Sequence, residues 1–432
     1  MQTKNILKTT CLCAGLLALS FATAQAQTIT NNDFGATLNL GTEWFGGTAP
    51  GAANVAVWNN LDQVNTTEPL GANLSWAGIQ ILDPGTPITI SAGNTLTLGA
   101  SGIDMSAATN GLTLACPLVL GASQTWNVTN GMTLTAGGAV SGANAVTKAG
   151  NGTLIMGVAN SYSLGTIVSG GTFQLNVAAG GGSGGGITNK NGTTLRMGGA
   201  VTVVNQQNFS GNCTVDLNNL SGNVALDGAW SGSGTVNIIN KSSGSTFTVG
   251  GNGNGGGTFA NFSGTLAFGT NSGALRFNDG GSTGSGPNYG SSSATFNLGT
   301  GSGALTMRNR GTTVNLGALI GGPNTTLTAA STGSGTVTYS IGGNNASTTF
   351  AGSIVNTPTV ILITKVGSGT LTYTGTSTST GATTINGGVL QIGDGVTSGA
   401  GILGSGNITD NATLAFARET LNKARFSNFS YY

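Results

Sequence analysis

Apolar and polar residues alternate with a period of two along most of the chain, in short units separated by glycine, asparagine and serine. The recurrent unit is a threonine, an apolar residue, any residue and a second apolar residue, as in Thr172-Phe173-Gln174-Leu175. Such a unit has one apolar and one polar face, which is typical of a short half-buried strand. Further units begin at Thr95, Thr153, Thr194, Thr214, Thr235, Thr246, Thr265, Thr295, Thr313, Thr370 and Thr413.

The units recur at nearly constant spacing. The clearest series of leading threonines is Thr153, Thr172, Thr194, Thr214 and Thr235. We therefore predict an all-β chain that forms a β-solenoid with coils of about 20 residues, each holding two or three short strands. A β-sandwich is the alternative, although its strands are usually longer and its hairpin turns tighter.

The regular pattern does not cover the whole chain. Residues 27–90 are less regular and are predicted to form an N-terminal cap, because an open solenoid end invites edge pairing. Residues 91–416 form the predicted repeat region. The residues that follow position 26 would make roughly 20 coils, or a rod of roughly 95 Å at about 4.8 Å per coil.

Composition supports stacking and excludes several functions. The chain has 77 Gly in 432 residues, 38% apolar residues, 6% charged residues and no His. Stacked like charges would repel at a spacing of about 4.8 Å, whereas stacked Thr, Asn and Val do not. The absence of His excludes imidazole general bases and His metal ligands. A formal charge of +1 provides no basic stripe for phosphates, so we predict no nucleic-acid partner.

Both ends of the sequence differ from the repeat region. Residues 1–26 contain Lys4 and Lys8, a mostly apolar run and small residues on either side of Gln25. This pattern predicts a cleaved export signal, since the apolar run is shorter than a membrane span of about 20 residues, and no later segment is predicted to span a membrane. The tail, residues 417–432, is charged and lacks Gly. We expect it to be either a cap that blocks end-to-end stacking or the truncated end of a longer repeat array.

Two longer blocks share one pattern without gaps. The blocks VTKAGNGTL and ITKVGSGTL begin at Val146 and Ile363, and GGTFQL and GGVLQI follow in the same register from Gly170 and Gly387. This pattern resembles the autotransporter-associated β-strand repeat, also called the passenger-associated transport repeat. The resemblance implies a right-handed parallel β-helix in an exported bacterial surface or secreted protein. It brings no catalytic residues to this chain.

Acidic residues are the natural candidates for calcium binding or sugar chemistry. No two of them lie within four residues of each other, so we predict isolated turn or surface acids, no metal site and no catalytic carboxylate pair. Stacking of coils leaves convergence in space open. The acids after position 26 are Asp33, Glu43, Asp62, Glu68, Asp83, Asp104, Asp216, Asp227, Asp279, Asp394, Asp410 and Glu419.

The basic residues are also predicted to have structural roles. Lys148 and Lys365 occupy the same place in the two blocks, which predicts a structural turn position rather than a catalytic base. Arg308 and Arg310 share one face of a strand and are predicted to be a solvated pair.

Aromatic and sulfur-containing residues complete the candidates. Tryptophan rings are able to stack on sugars, although alternation places Trp126 with core residues; the five are Trp44, Trp58, Trp76, Trp126 and Trp230. Cys116 and Cys213 lie on apolar faces about five coils apart. We therefore predict two unpaired core thiols, because a disulfide needs Cα atoms within about 7 Å.

Together these patterns predict an exported, non-enzymatic β-helical protein that acts as a spacer, an adhesin-like passenger or an extracellular structural component. We predict no cofactor, and a cell-surface or extracellular polysaccharide as the partner. The alternative is a carbohydrate-active β-helix that binds or cleaves a polysaccharide. Three or more acids, or aligned Trp and Tyr rings, gathered in one groove would favour that alternative.

Overall fold

The computed structural model describes residues 25–242, 245–249, 259–269, 273–277, 289–307, 312–329, 335–397 and 400–417. Most of the predicted export signal and of the tail lie outside these residues, as do Arg308, Arg310, Asp279 and Glu419. Within the described ranges the chain is all-β, apart from one 3-10 helix, η1 (Gly41–Glu43). No helix in this part of the chain has the length and apolar character that a membrane span needs.

Short strands follow one another along the described part of the chain. The first twenty are β1 (Gln27–Thr30), β2 (Asn54–Trp58), β3 (Thr67–Glu68), β4 (Leu74–Ile81), β5 (Ile88–Ile90), β6 (Leu96–Met105), β7 (Leu112–Leu114), β8 (Leu118–Leu120), β9 (Gln124–Val128), β10 (Thr133–Ala136), β11 (Val140–Ser141), β12 (Val146–Ala149), β13 (Thr153–Met156), β14 (Thr166–Val168), β15 (Thr172–Leu175), β16 (Ile187–Lys190), β17 (Thr194–Met197), β18 (Thr202–Val203), β19 (Gln207–Ser210) and β20 (Cys213–Asp216). The remainder are β21 (Val224–Leu226), β22 (Trp230–Gly232), β23 (Thr235–Ile239), β24 (Thr246–Val249), β25 (Asn261–Phe262), β26 (Thr265–Ala267), β27 (Gly273–Phe277), β28 (Tyr289–Asn297), β29 (Gly303–Met307), β30 (Thr312–Ile320), β31 (Thr326–Ala329), β32 (Gly335–Ile341), β33 (Thr348–Phe350), β34 (Ser353–Ile354), β35 (Thr359–Lys365), β36 (Thr370–Tyr373), β37 (Thr383–Ile385), β38 (Val389–Ile392), β39 (Ile408–Asp410) and β40 (Thr413–Phe416).

These strands pair in parallel with the equivalent strand of the next coil. A 16-stranded sheet runs from β3 through β10, β13, β15 and β17 to β39, and a 13-stranded sheet runs from β1 through β9, β12 and β14 to β25. Sheets of seven and four strands complete the coils in the second half of the chain. The result is a β-solenoid of about 15 turns, which confirms the predicted fold class. Parallel pairing throughout the described strands rules out a sandwich of hairpins.

Coil length varies along the rod. Register pairs link Thr133, through the leading threonines, to Thr214 in nearly equal steps that match the predicted spacing. The next leading threonine, Thr235, lies out of line, because Thr214 pairs with Asn237. Thr235 pairs with Thr265, and Thr265 with Thr295, so these two coils are about half as long again. Because the extra residues enlarge the turns without adding coils, the average coil has about 23 residues and the expected coil number is too high.

A continuous apolar core fills the interior along the axis. Leu154, Phe173, Leu195 and Val215 lie in register on successive coils, and each is at most 1% exposed. Burial of each such side chain contributes about 1.5–3 kcal/mol to the stability of the fold. The period-two alternation of the sequence therefore reports the inside and the outside of the solenoid directly.

Uncharged polar side chains form ladders on the outside. The threonine ladder, which follows the 16-stranded sheet, consists of half-buried residues that pair in register, namely Thr133, Thr153, Thr172, Thr194 and Thr214. The mixed ladder, on the 13-stranded sheet, consists of Thr125, Thr147, Ile167, Thr188, Asn208 and Ser231. Both ladders have the spacing of about 4.8 Å that separates neighbouring strands.

Candidate functional site: two buried repeat lysines

Lys148 is a cation in the interior of the solenoid. It is the third residue of β12, where burial alternates, so that Val146 and Lys148 point inward. Lys148 lies between Trp126 of β9 and Val168 of β14 in the same register, and its side chain is 0% exposed. A lysine is almost never fully buried unless its ammonium group finds partners.

Backbone carbonyl groups supply those partners. The Lys148 Nζ atom donates hydrogen bonds to the carbonyl oxygens of Ala149 and Gly150, each at 2.7 Å, and of Gly170, at 3.1 Å. Ala149 ends β12 and Gly150 lies in the turn that follows it, whereas Gly170 lies in the equivalent turn of the next coil, after β14. The three oxygens and the Nζ atom form what we call a lysine cage.

Lys365 forms a second lysine cage with the same geometry. It is the last residue of β35 and is 1% exposed. Its Nζ atom donates to the carbonyl oxygens of Val366 at 2.7 Å, Gly367 at 3.1 Å and Gly387 at 2.9 Å. Each acceptor occupies the same position in its block as its counterpart in the first cage. The sequence predicted a structural turn position for both lysines. The structure instead places them in strands β12 and β35, and their ammonium groups bind carbonyl oxygens at the turns beside these strands.

Glycine is required in the turn that forms the cage. Gly150 has a φ of +70°, in the left-handed region that side chains with a Cβ avoid. A Cβ atom at Gly150 would also lie 2.2 Å from the carbonyl oxygen of Val128, in the preceding coil. Gly367 repeats both features, with a φ of +70° and a Cβ position 2.0 Å from the oxygen of Gly342. The turn therefore closes against the coil below it only when this residue is glycine.

Burial shapes the electrostatics of the cages. It lowers the pKa of Lys148 to about 8 and also lowers the pKa of Lys365. Within the described ranges neither Lys148 nor Lys365 forms an ion pair with a carboxylate, so no such group balances either caged charge. An ammonium group has three N–H donors, which match the three carbonyl acceptors, whereas a neutral amine has two. At neutral pH the cage is therefore built for the protonated lysine.

A third buried lysine uses similar chemistry outside the two blocks. Lys241 is 5% exposed, and its Nζ atom donates to the carbonyl oxygens of Ser242, at 3.2 Å, and of Ser245. Burial lowers its pKa to about 8. Lys241 is not among the residues predicted from the sequence, because its only signal is local: a lysine shortly after a strand, followed by small residues.

Comparison with protein families matches the passenger-associated transport repeat at residues 146–175 and 363–392. The chain carries two of these repeats. The first spans β12 to β15, and the second ends with β38, so each covers a lysine cage together with the turn of the next coil that completes it. Neither the curated proteins nor the solved structures contain a match to this chain.

The two repeats lie nine coils apart on the same faces of the rod. Register pairs lead from β12 to β22 and β25, and from β28 to β35. The hydrogen bond of 2.6 Å from Ser291 Oγ to the carbonyl oxygen of Phe262 joins β28 to β25. From β13 to β36 the path also takes nine steps, passing through the bridge between Gly321 and Phe350. The second repeat therefore rebuilds the first at an equivalent corner of the solenoid.

Four candidate acids converge in the N-terminal cap, which the sequence did not predict. Burial raises the pKa of Asp62 to about 6 and that of Glu68 to about 8; the charges of Asp33 and Glu43 add to the first shift, and those of Asp62 and Glu43 add to the second. Irregular loops bring these acids together. For example, Asp33 accepts hydrogen bonds from three successive backbone N–H groups of the 63–65 segment, at 2.7–3.1 Å. Glu43, Asp62 and Glu68 are at most 1% exposed, so these acids do not line an open groove. No three acids or thiols among the described residues are arranged to hold a metal ion.

Hydrogen bonds hold most of the acids in structural positions. Glu43 accepts from the backbone N–H groups of Gly35, at 3.1 Å, and Ala36, at 2.6 Å. Asp216 accepts from Arg196 Nε at 2.8 Å, and its hydrogen bonds with Arg196 and two asparagines lower its pKa despite burial. Five further carboxylates accept hydrogen bonds from backbone N–H groups in or beside turns, namely those of Asp62, Asp83, Asp104, Asp394 and Asp410. Asp227 is buried, which raises its pKa to about 6.

The aromatic and cysteine candidates are core residues. All five tryptophans are at most 1% exposed, so their rings are covered and do not offer a surface for sugar stacking. Trp44, Trp58 and Trp76 pack together in the N-terminal cap, with ring centroids 5.5–6.0 Å apart. Cys116 and Cys213 are both buried and free, as predicted.

Proposed function

We propose that this chain is an exported, non-enzymatic passenger rod that serves as an adhesin-like or structural component outside the cell. The observation that carries the proposal is the role of the repeat residues. The lysine and glycines of each repeat are consumed by the cage that joins consecutive coils, which leaves them no exposed group for chemistry. The repeat thus supports a stable β-helical scaffold, in keeping with a passenger.

The outside of the rod supports an uncharged polar partner. Hydroxyl groups of the threonine ladder recur at the strand spacing of about 4.8 Å and are half-buried rather than covered. A neutral polysaccharide presents hydroxyl groups of the same kind along an extended chain. We therefore propose a cell-surface or extracellular polysaccharide as the partner of this face.

Export is tested on intact cells that express the full chain. Antibody labelling of the cell surface and of the culture medium should detect the protein without permeabilising the cells. A cytoplasmic protein of known abundance serves as the leakage control. Detection of the chain only after permeabilisation would contradict the proposal.

Binding and catalysis are separated in a second experiment. The purified chain is mixed with an insoluble neutral polysaccharide and sedimented, while soluble sugars are assayed in the supernatant. We expect the chain to pellet equally at low and high salt, because neutral groups carry the contact, and no sugar to be released. Reproducible release of sugar, abolished by a single acidic substitution, would favour the carbohydrate-active alternative.

A matched pair of variants locates the contact. Replacing Thr153, Thr172 and Thr194 by Val removes hydroxyls from the threonine ladder while keeping the side-chain shape. The control replaces Thr147 and Thr188 of the mixed ladder by Val. We expect the first variant alone to lose at least tenfold in bound fraction; equal binding by both variants would exclude the threonine ladder.

A further inference from the structure

Glu68 is a buried carboxyl group whose role the repeats do not explain. It ends β3 in the N-terminal cap and is 1% exposed. Its Oε1 atom accepts a hydrogen bond from Asn31 Nδ2 at 2.9 Å, and its Oε2 atom accepts one from Trp58 Nε1 at 2.8 Å. Both donors are neutral, so neither compensates the charge of an ionised carboxylate.

The charged groups that face Glu68 are all acidic. Glu43 of η1 and Asp62 of the loop after β2 lie close enough to disfavour its ionisation, and Asp33 faces Asp62 in turn. Strands β1, β2, β4 and β5 contribute no charged side chain, and the sequence contains no Lys or Arg between residues 9 and 147. Burial, assisted by these acids, raises the pKa of Glu68 to about 8, although both hydrogen bonds act in the opposite direction.

Glu68 joins three separate segments of the cap. Asn31 follows β1 and forms a bridge with Trp44, next to η1. Trp58 ends β2, and its ring packs against Trp44 with centroids 5.5 Å apart. A negative charge on Glu68 would be buried between these segments without a cation, so separating them to let water reach the carboxylate would release both the strand and the aromatic cluster that cover this end of the solenoid.

We propose that Glu68 is a pH-sensitive latch, which holds the N-terminal cap closed while its carboxyl group carries a proton and lets the cap open when that proton is lost. The folded cap binds this proton more tightly than an unfolded chain does. The stabilisation is therefore fully present below the ordinary range of a Glu and is lost as the pH rises through about 8. The coils beyond residue 91 lack this group and stay closed over the same range.

Hydrogen–deuterium exchange of the full chain, read by mass spectrometry, tests the latch directly. Labelling times are scaled to the intrinsic exchange rate at each pH. We expect peptides from residues 27–68 to lose protection between about pH 6 and about pH 9, while peptides from residues 120–175 do not. Glu68→Gln keeps the shape but cannot ionise, so its cap should stay protected at both pH values.

Asp83→Asn is the matched control, because Asp83 is an exposed acid of the same cap and should leave the wild-type response unchanged. Equal protection of the wild-type cap at both pH values would overturn the proposal. So would a Glu68→Gln variant that responds like the wild type.

Two further variants test the latch even if Glu68→Gln folds poorly. Asp62→Asn removes a charge that disfavours ionisation of Glu68 in the closed cap, so the cap should lose less protection between about pH 6 and about pH 9 than the wild-type cap does. Trp58→Phe removes a donor that stabilises the carboxylate, so the cap should lose more protection over the same range. A merely structural defect would lower protection equally at both pH values. Losses between the two pH values that match the wild type, or that change in the same direction in both variants, would refute the latch.

Discussion

The N-terminal cap and the repeats each bury an ionisable side chain, but they surround it with different groups. Glu68 accepts hydrogen bonds from two neutral side chains and lies beside other acids. Lys148 donates hydrogen bonds to three backbone carbonyls of two successive turns. Burial raises the pKa of Glu68 to about 8 and lowers that of Lys148 to about 8. Relative to the unfolded chain, folding thus shifts each group toward its neutral form, and rising pH acts on the stability of the two regions in opposite directions.

The surroundings of the two groups explain why one arrangement recurs and the other does not. A lysine cage needs only a lysine, a left-handed glycine and the carbonyl of the next coil, so any coil with that turn can rebuild it, as Lys365 does. The Glu68 pocket needs Asn31, Trp58 and β3 from three separate segments. A solenoid repeats its backbone but not its loops, so backbone-based contacts are the ones that become motifs.

The largest expected effect is removal of a caged cation. Lys148→Met keeps the length and apolar stem of the side chain but leaves three carbonyls without their donor. Each buried unpaired polar group costs about 1–3 kcal/mol, so we expect unfolding by denaturant to show a loss of about 3 kcal/mol or more. Lys190→Met, at an exposed lysine, should change stability by less than about 0.5 kcal/mol. Equal losses in the two variants would disprove the cage.

The second-largest loss of stability is expected at the glycine of the cage turn. Gly150→Ala introduces both an unfavourable φ and a contact with the carbonyl of Val128. Gly131→Ala is the matched control, since Gly131 has a φ of +79° but nothing within 4 Å of its Cβ position. We expect the control to cost about 1 kcal/mol and Gly150→Ala at least about 1 kcal/mol more. Similar melting temperatures for the two variants would contradict the close approach of the coils.

pH dependence separates the two buried groups. Because the pKa of Lys148 falls to about 8 in the folded state, the unfolded chain binds more protons between about pH 8 and about pH 10.4. The free energy of unfolding should therefore rise over that window, by about 1–3 kcal/mol at most. Lys148→Met should flatten the rise, measured by denaturant titration at each pH. An equal rise in the variant would mean that groups other than Lys148 cause it.

The smallest effect is expected for an ion pair with one exposed partner. The side chain of Arg196 is 36% exposed and that of Asp216 is 3% exposed, and Arg196 Nε donates to Asp216 Oδ2 at 2.8 Å. Arg196→Gln should cost only about 0–1 kcal/mol, because solvent screens the arginine and the asparagine contacts of Asp216 remain. If Arg196→Gln lowered the free energy of unfolding as much as Lys148→Met does, caged lysines would be no more important to stability than this ion-paired arginine.

The sequence predicted the stacking of coils better than their number. Alternation around Phe173 and Leu195 identified inward positions, since a period of two is a direct readout of a strand. It could not show that the coils after Thr235 are longer, because residues added to a turn leave the strand pattern intact. The inward lysine was visible in principle: Lys148 shares the alternation face of Val146. Convergence of Asp62 and Glu68 was not, because these acids lie in a cap without a period.

A lysine cage also joins two successive coils, since Gly170 belongs to the coil after Lys148. The backbone hydrogen bonds between the strands of successive coils run along the rod. Tension on its two ends therefore breaks them one coil after another. Each coil that opens releases about 23 residues, or about 80 Å of extended chain in place of about 4.8 Å of rise. Single-molecule pulling should show two steps of higher force. Under load the coils should therefore unravel one after another, and unravelling should pause at each of the two lysine cages.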